Sequence, residues 1–324
     1  MKKILYILIL LVGISACSVD ENKKDGRVEI PRLESVLLKW STLSPDERAK
    51  AIDSLRPGLE AMSTVFQLEM TDDSVLTSVA ASPAVRIFGS ETLRRFPSLD
   101  SLEEVVGDLF NNIKEKAPEL KRPVLYTIVS PRKLSIYNVD SVMLIALNHY
   151  LGPEFEGYEG FPPFERAQKR PEMIPYDITE AILGINYPYK RGANPTVLSR
   201  LLYEGAMAYA KSEIVPKASP ENILGYNGDE LKWLEENEEN IWNQLINSQL
   251  LYSKDPQTIE RLVLPSPATT LIHPDAPGRA GRYIGYRIVC SYMKNNPGKS
   301  VKDLLSPEFY DSSRTLPDSK YSPR

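Results

Sequence analysis

The 324 residues contain two cysteines, Cys17 and Cys290, and neither is placed to staple the fold. Cys17 closes an N-terminal leader. Lys2 and Lys3 are followed by an apolar run from Ile4 to Val12 and then by Gly13, Ile14, Ser15 and Ala16, the layout of a basic n-region, an h-region and a small-residue cleavage site. The run is shorter than the roughly 20 apolar residues of a membrane-spanning helix, so residues 1–16 read as a cleaved signal peptide. Cys290 lies in an apolar helical pattern and reads as a small buried hydrophobe. A chain exported to an oxidising compartment therefore has no disulfide framework, and packing alone has to hold it together.

The residues around Cys17 resemble a bacterial lipobox, with aliphatic Ile14 three places before the cysteine and two small residues between. In that motif the cysteine is acylated and becomes the mature N-terminus. Acyl chains bury methylenes at about 0.8 kcal/mol each, which tethers a soluble domain to a lipid bilayer. Residues 17–30 then form a charged spacer with Asp20, Glu21, Lys23, Lys24, Asp25, Arg27 and Glu29, too polar to fold by itself. Its start, Val19-Asp20-Glu21-Asn22, is similar to the segment after the lipid cysteine in surface-exposed lipoproteins of Bacteroidetes. An outer-membrane lipoprotein on the periplasmic or the cell-surface face is expected.

Lys and Arg total 39 against 43 Asp and Glu, a net charge of −4 with the signs interspersed. This lacks the basic footprint that nucleic acid requires. From 31 to 120 the pattern is helical. Ser44-Pro45-Asp46-Glu47 is a helix start leading into Ala49, Ile52, Leu55 and Leu59, and a second stripe runs through Leu102, Val105, Val106, Leu109, Phe110 and Ile113. A core follows over 121–310. Residues 123–129 and 133–139 have strand character, and a third apolar stretch over 141–151 ends at Gly152-Pro153. After a Gly-, Pro- and aromatic-rich loop at 152–171 the helical pattern returns. One stripe is Ile174, Ile178, Ile182 and Ile185, and another is Val197, Leu201, Glu204 and Ala208, opened by Asn194-Pro195. A single long helix is predicted over 229–251. Another follows Pro277-Gly278 and stops at Asn296-Pro297-Gly298. The predicted class is α+β and mostly helical, with a small three-stranded sheet; residues 311–324 are expected to fray.

The chain has two histidines, His149 and His273, which rules out a helix carrying two histidine ligands and any three-histidine zinc site. No Gly-x-Ser-x-Gly elbow occurs. Both histidines read as structural, with His149 also a binding candidate. Glu204 stands out because it continues an apolar stripe, so its carboxylate points at the core, where a charge is costly unless it is paired. It is either a structural partner of an arginine or a functional carboxylate. Arg279 and Arg282, in the Gly-rich helix start with Gly278, Gly281 and Gly285, are the expected donors. The run Glu235-Glu236-Asn237-Glu238-Glu239 reads as the wet face of a helix whose dry face is Leu231, Leu234, Trp242 and Leu245.

Three stretches together carry a likeness to a known family. They are Leu147-Asn148-His149-Tyr150-Leu151-Gly152-Pro153; the run from Trp233 to Trp242 with Leu250-Leu251-Tyr252-Ser253; and Pro277-Gly278-Arg279 through Tyr283-Ile284-Gly285-Tyr286-Arg287 to Ser291-Tyr292-Met293. In order and spacing they resemble the GldB-type gliding-motility lipoproteins of Bacteroidetes. That family in turn is similar to a degenerate zinc peptidase with a gluzincin-like core. The likeness puts Tyr176-Asp177-Ile178-Thr179-Glu180 on the histidine helix and Glu204 at the third-ligand position. Tyr176 and Glu180 share a helix face, but neither is a histidine. The resemblance therefore implies no metal and no cofactor. It implies a pseudo-peptidase acting as a tethered, non-catalytic component of the gliding or associated secretion machinery, with envelope proteins as partners. The alternative is a residual hydrolase or glycan-acting enzyme using Asp177, Glu180 and Glu204 as an acid/base set.

Overall fold

The computed structural model describes residues 26–190, 192 and 195–323. The signal peptide, Cys17, most of the spacer and Asn194 lie outside the described residues. Five helices come first: α1 (Leu33–Lys39), α2 (Pro45–Phe66), α3 (Asp73–Ala81), α4 (Pro83–Arg95) and α5 (Asp100–Lys116). The predicted start at Ser44 is a capping box in which Ser44 and Glu47 bond each other's backbone N–H, with Pro45 in the first turn; a cap of this kind contributes about 1 kcal/mol.

The strands are β1 (Val124–Ile128), β2 (Ile136–Val139) and β3 (Val142–Ala146), in the order β1-β3-β2. β1 pairs with β3 in parallel, and β2 pairs with it antiparallel. All five residues of β3 are buried, which is why its sequence is continuously apolar rather than alternating. Successive side chains leave opposite faces. Tyr126, Ile128, Leu144 and Ala146 join the core with Leu33, Trp40, Leu59 and Met62, while Leu125, Met143 and Ile145 join the larger core of the C-terminal helices. The sheet is the wall between the two cores. α5 packs through Val106, Leu109 and Ile113 in the larger one, so the helices before residue 120 are shared between the sheet's two sides.

Beyond the sheet come α6 (Pro163–Arg166), α7 (Ile174–Asn186), α8 (Val197–Ile214), α9 (Pro220–Leu224), α10 (Gly228–Glu236), α11 (Glu238–Asn247), α12 (Pro256–Val263), α13 (Ala280–Asn295), α14 (Val301–Leu304), α15 (Pro307–Tyr310) and α16 (Thr315–Ser319). Among the described residues no helix is long and apolar enough to cross a membrane. Three expectations need correction. The single helix over 229–251 is two, because Asn237 leaves helical geometry (φ −114°, ψ 14°) while its side chain donates to the Trp233 carbonyl at 2.9 Å. Ile185 does not complete its stripe but is 57% exposed. The C-terminal segment does not fray, for α16 docks on α13, where Ser291 and Asn295 donate to the Ser319 carbonyl at 2.8 and 3.0 Å.

α8 and α13 cross backbone against backbone. A Cβ on Gly285 would lie 1.9 Å from the Leu201 carbonyl oxygen, one on Gly205 2.2 Å from the Gly285 backbone, and one on Gly281 2.6 Å from Leu201 Cδ2. Glycine within a helix costs about 0.5–1 kcal/mol against alanine. Here that cost is offset because no other residue permits the approach. The crossing brings the charged side chains of three helices together.

Candidate functional site

Asp177 and Glu180 lie three residues apart on one face of α7. Beneath Glu180 are two cations, Lys211 from α8 with Nζ at 2.6 Å and Arg282 from α13 with Nη2 at 3.2 Å, both on the same carboxylate oxygen. The cations are buried, with side chains 3% and 7% exposed, whereas the Glu180 side chain is 45% exposed. The triad is therefore a half-exposed glutamate side chain whose carboxylate rests on a buried pair of positive charges. The Arg282 Nε is buried and has no hydrogen-bond partner among the described residues. Asp177 accepts from the Tyr150 hydroxyl at 2.7 Å and makes no ion pair among the described residues.

This arrangement pulls neighbouring groups apart in acidity. Burial pushes the Asp177 carboxyl up to about 6; the Tyr150 hydrogen bond works against this and the Glu180 charge adds to it. Burial also opposes the ionisation of Glu180, but Lys211 and Arg282 together hold its carboxyl well below the usual range. Burial brings Lys211 down to about 8, the Arg282 charge adding to the effect and Glu180 restraining it. Arg282, despite burial, is held charged by Glu180 and Glu204.

The Glu204 charge, like that of Glu180, helps to keep Arg282 charged. The ion pair of Glu204, however, is with Arg200 of its own helix at 2.6 Å, not with Arg279 or Arg282. The reason is geometric. Arg200 is four residues back on the same face and lies over the rings of Tyr189 and Tyr203, at 4.9 and 5.6 Å, while Arg282 is committed to Glu180. Arg279 donates to the Gly225 carbonyl at 2.7 Å and stacks on Tyr226. His149 is buried against Ser135 Oγ (3.1 Å), and burial, together with the Lys169 charge, lowers it to about 4, so it is neutral at pH 7. Lys169 itself is buried over Phe161 and Tyr158, at 4.3 and 5.2 Å.

Two participants were missed in the sequence although the signal was there. Lys211 continues the stripe Val197, Leu201, Glu204, Ala208 by one further step of three. Glu238 continues Leu231 and Leu234 towards Ile241 and Leu245 in steps of three and four, and it does not lie on a wet face. It is 3% exposed and accepts from Tyr283, Tyr321 and Arg287 at 3.0, 2.9 and 3.1 Å.

The donors at the would-be zinc positions are all engaged within the protein. Tyr176 accepts from the Ser219 N–H at 3.0 Å, Glu180 carries two cations, and Glu204 carries Arg200. They do not fit a zinc ion, which needs free anionic or imidazole donors, and no group of three His, Cys, Asp or Glu among the described residues could hold a metal.

The three-stranded wall, the glycine-mediated crossing and the self-neutralised charges define a mostly helical α+β protein whose polar centre is built from its own cations. The chain belongs to the family described as gliding motility protein GldB, whose model matches residues 16–323, so it is a member of a gliding-motility-associated family whose label is that of a lipoprotein. No curated protein matches it, and no solved structure does.

Proposed function

We propose that this chain is a non-catalytic lipoprotein, tethered through acylated Cys17 to the outer membrane, which serves as a rigid binding component of the gliding or associated protein secretion machinery. The observation that carries this reading is the internal neutralisation of the carboxylates a hydrolase would need. Glu180 is held by Lys211 and Arg282, and Glu204 by Arg200. Glu180 so paired is a poor base, because protonating it leaves two buried cations unmatched. The leader, the charged spacer and the lipoprotein label of the family support the tether. Affinity capture of the lipidated protein from its native envelope should recover motility or secretion components, and recovery of none would overturn the reading. Cys17→Ser should release the domain from the membrane fraction; unchanged association would remove the lipid anchor from the account.

A residual hydrolase or glycan-acting enzyme is the second reading, favoured by one observation: Asp177 is pushed up to about 6 while its neighbour Glu180 is held low. Neighbouring carboxyls with separated acidities can divide acid and base roles. Asp177→Asn keeps an acceptor for Tyr150 and removes the titrating proton. A motility phenotype identical to wild type in that variant supports the binding component, and loss of motility with an intact fold supports the enzyme.

A further inference from the structure

The loop at 152–171 and α6 face α9 and the start of α10 across a cleft of about 640 Å³, within the roughly 300–1,000 Å³ range of small-molecule sites. Its walls are tied together and to the core. Arg170 Nη2 crosses to Asn222 Oδ1 at 2.7 Å, and the Ser219 N–H is held by the Tyr176 hydroxyl at 3.0 Å. Below them Gln168 Nε2 and Arg279 Nη2 both donate to the Gly225 carbonyl, at 3.0 and 2.7 Å. Arg279 adopts a left-handed backbone (φ 64°), held there by the Tyr226 hydroxyl donating to its carbonyl at 2.8 Å. A non-glycine residue in that region costs of order 1 kcal/mol and persists only where its surroundings impose it. Gln168 and Tyr226, which line the cleft, are thus fixed in advance through Gly225 and Arg279, which reduces the ordering cost of binding.

Three amides on this cleft are each used by half. Gln168 spends Nε2 on Gly225, Asn222 spends Oδ1 on Arg170, and Asn227 spends Oδ1 as the cap of α10. Their other halves, Gln168 Oε1, Asn222 Nδ2 and Asn227 Nδ2, have no protein partner among the described residues. The charges on the lining are Arg166 and Arg170 against Glu154 and Glu221, and none of the four enters an ion pair among the described residues. Equal and opposite charges give neither a cationic nor an anionic ligand a net advantage, and Arg170 is already spent on the walls. The unspent capacity is mainly that of anchored, planar donors and acceptors. Its complement is a neutral ligand dense in groups that both donate and accept, and hydroxyls are such groups.

We propose that this cleft is a binding site for a neutral saccharide, separate from the Glu180 triad, with Arg166 and the free amide halves of Gln168, Asn222 and Asn227 as its recognition groups. The test is saturation-transfer NMR on the detergent-solubilised full chain, with a panel of glucose, galactose, mannose, N-acetylglucosamine and their β-1,4-linked disaccharides, and with triglycine as the zwitterionic comparison. At least one saccharide should saturate. Arg166→Gln and Asn222→Asp, the latter keeping the acceptor for Arg170, should each weaken it about tenfold with unchanged circular dichroism. The proposal is overturned if no saccharide saturates by about 50 mM, if triglycine binds in their place, or if both variants bind as wild type does.

Discussion

Glu180 and Glu238 both end on α13, the first on Arg282 and the second on Tyr283 and Arg287, yet their surroundings are inverted. At Glu238 the carboxylate is 3% exposed and its cation, Arg287, is 40% exposed. At Glu180 the side chain as a whole is 45% exposed, and its cations are at 3% and 7%. In the first cluster three donors replace the water a buried carboxylate loses, and the arginine keeps its own access to solvent. That is a structural clasp, and through Tyr321 it fastens the C-terminal segment to the core. In the second the burden of burial falls on the cations, and the carboxylate they share is what makes their burial tolerable. The general lesson is that the partner left behind, rather than the residue removed, sets the cost of breaking such a pair.

The comparison makes its largest claim for Glu180→Ala. Removing the exposed member leaves Lys211 and Arg282 buried side by side, and a broken buried pair costs about 3–5 kcal/mol; water reaching the site places the expectation at the low end, about 3 kcal/mol. Lys211, already lowered to about 8 with Glu180 present, sheds its proton more readily without it, so the deficit should shrink as the pH rises to about 8 and change little beyond. Glu238→Ala strands two phenols but leaves Arg287 free to turn to solvent, so about 2 kcal/mol is expected. Denaturant titration of both variants at pH 7 decides the order. If Glu238→Ala is the more costly, burial of the carboxylate itself governs and the comparison fails.

Asp177 sharpens the contrast through pH. Its folded pKa is raised from 3.8 to about 6, so between those values the folded chain keeps a proton that the unfolded chain has lost. Stability from this group is full below about pH 4 and declines as the pH rises through 6, by at most about 1.4 kcal/mol per pH unit. Glu180, held low, contributes in the opposite sense: its stabilisation is present above about pH 4.5 and is lost as the pH falls. Asp177→Asn should remove the decline between pH 4 and 6 and leave the acid limb. Identical stability profiles for wild type and variant would show that Asp177 does not titrate there.

Sequence reading went furthest where a periodic pattern met one decisive residue. The Ser44 cap and the unbroken apolar run of β3 each constrain the backbone locally, and the structure has them in those roles. The strand order was not legible, because the parallel pairing of β1 with β3, which places β3 between β1 and β2, depends on the helices that cover the two faces. The stripe argument identified the face on which Glu204 lies but not its partner, since a face says nothing about which of several arginines can reach it. Glu238 was lost to composition. Four glutamates around Asn237 read as solvent-facing, although the three- and four-residue steps put one of them on the buried stripe. The segment over 315–319 is too short for any period to appear, and its order comes from tertiary contacts, those to α13 and the bond of Thr315 to the Phe309 carbonyl among them.

Glu204→Ala is where the smallest effect is expected, and the reason tests the same rule from its other end. The stripe Val197, Leu201, Glu204, Ala208 alone would suggest a buried pair whose loss costs several kcal/mol. The observed partner is Arg200, on the same helix with its side chain 25% exposed, while Glu204 is 13% exposed. When the carboxylate is removed, Arg200 is not stranded. It stays over the rings of Tyr189 and Tyr203 and can reach water. A pair four residues apart on a helix surface contributes about 0.3–0.5 kcal/mol, and partial burial with the nearby Arg282 charge raises the expectation to about 1 kcal/mol. Glu204→Gln, which keeps the shape and one acceptor, should fall below that. Chemical denaturation of both variants beside Glu180→Ala is the measurement. A loss at Glu204 equal to that at Glu180 would mean that Arg282 depends on both carboxylates, so that the two ion pairs form one network.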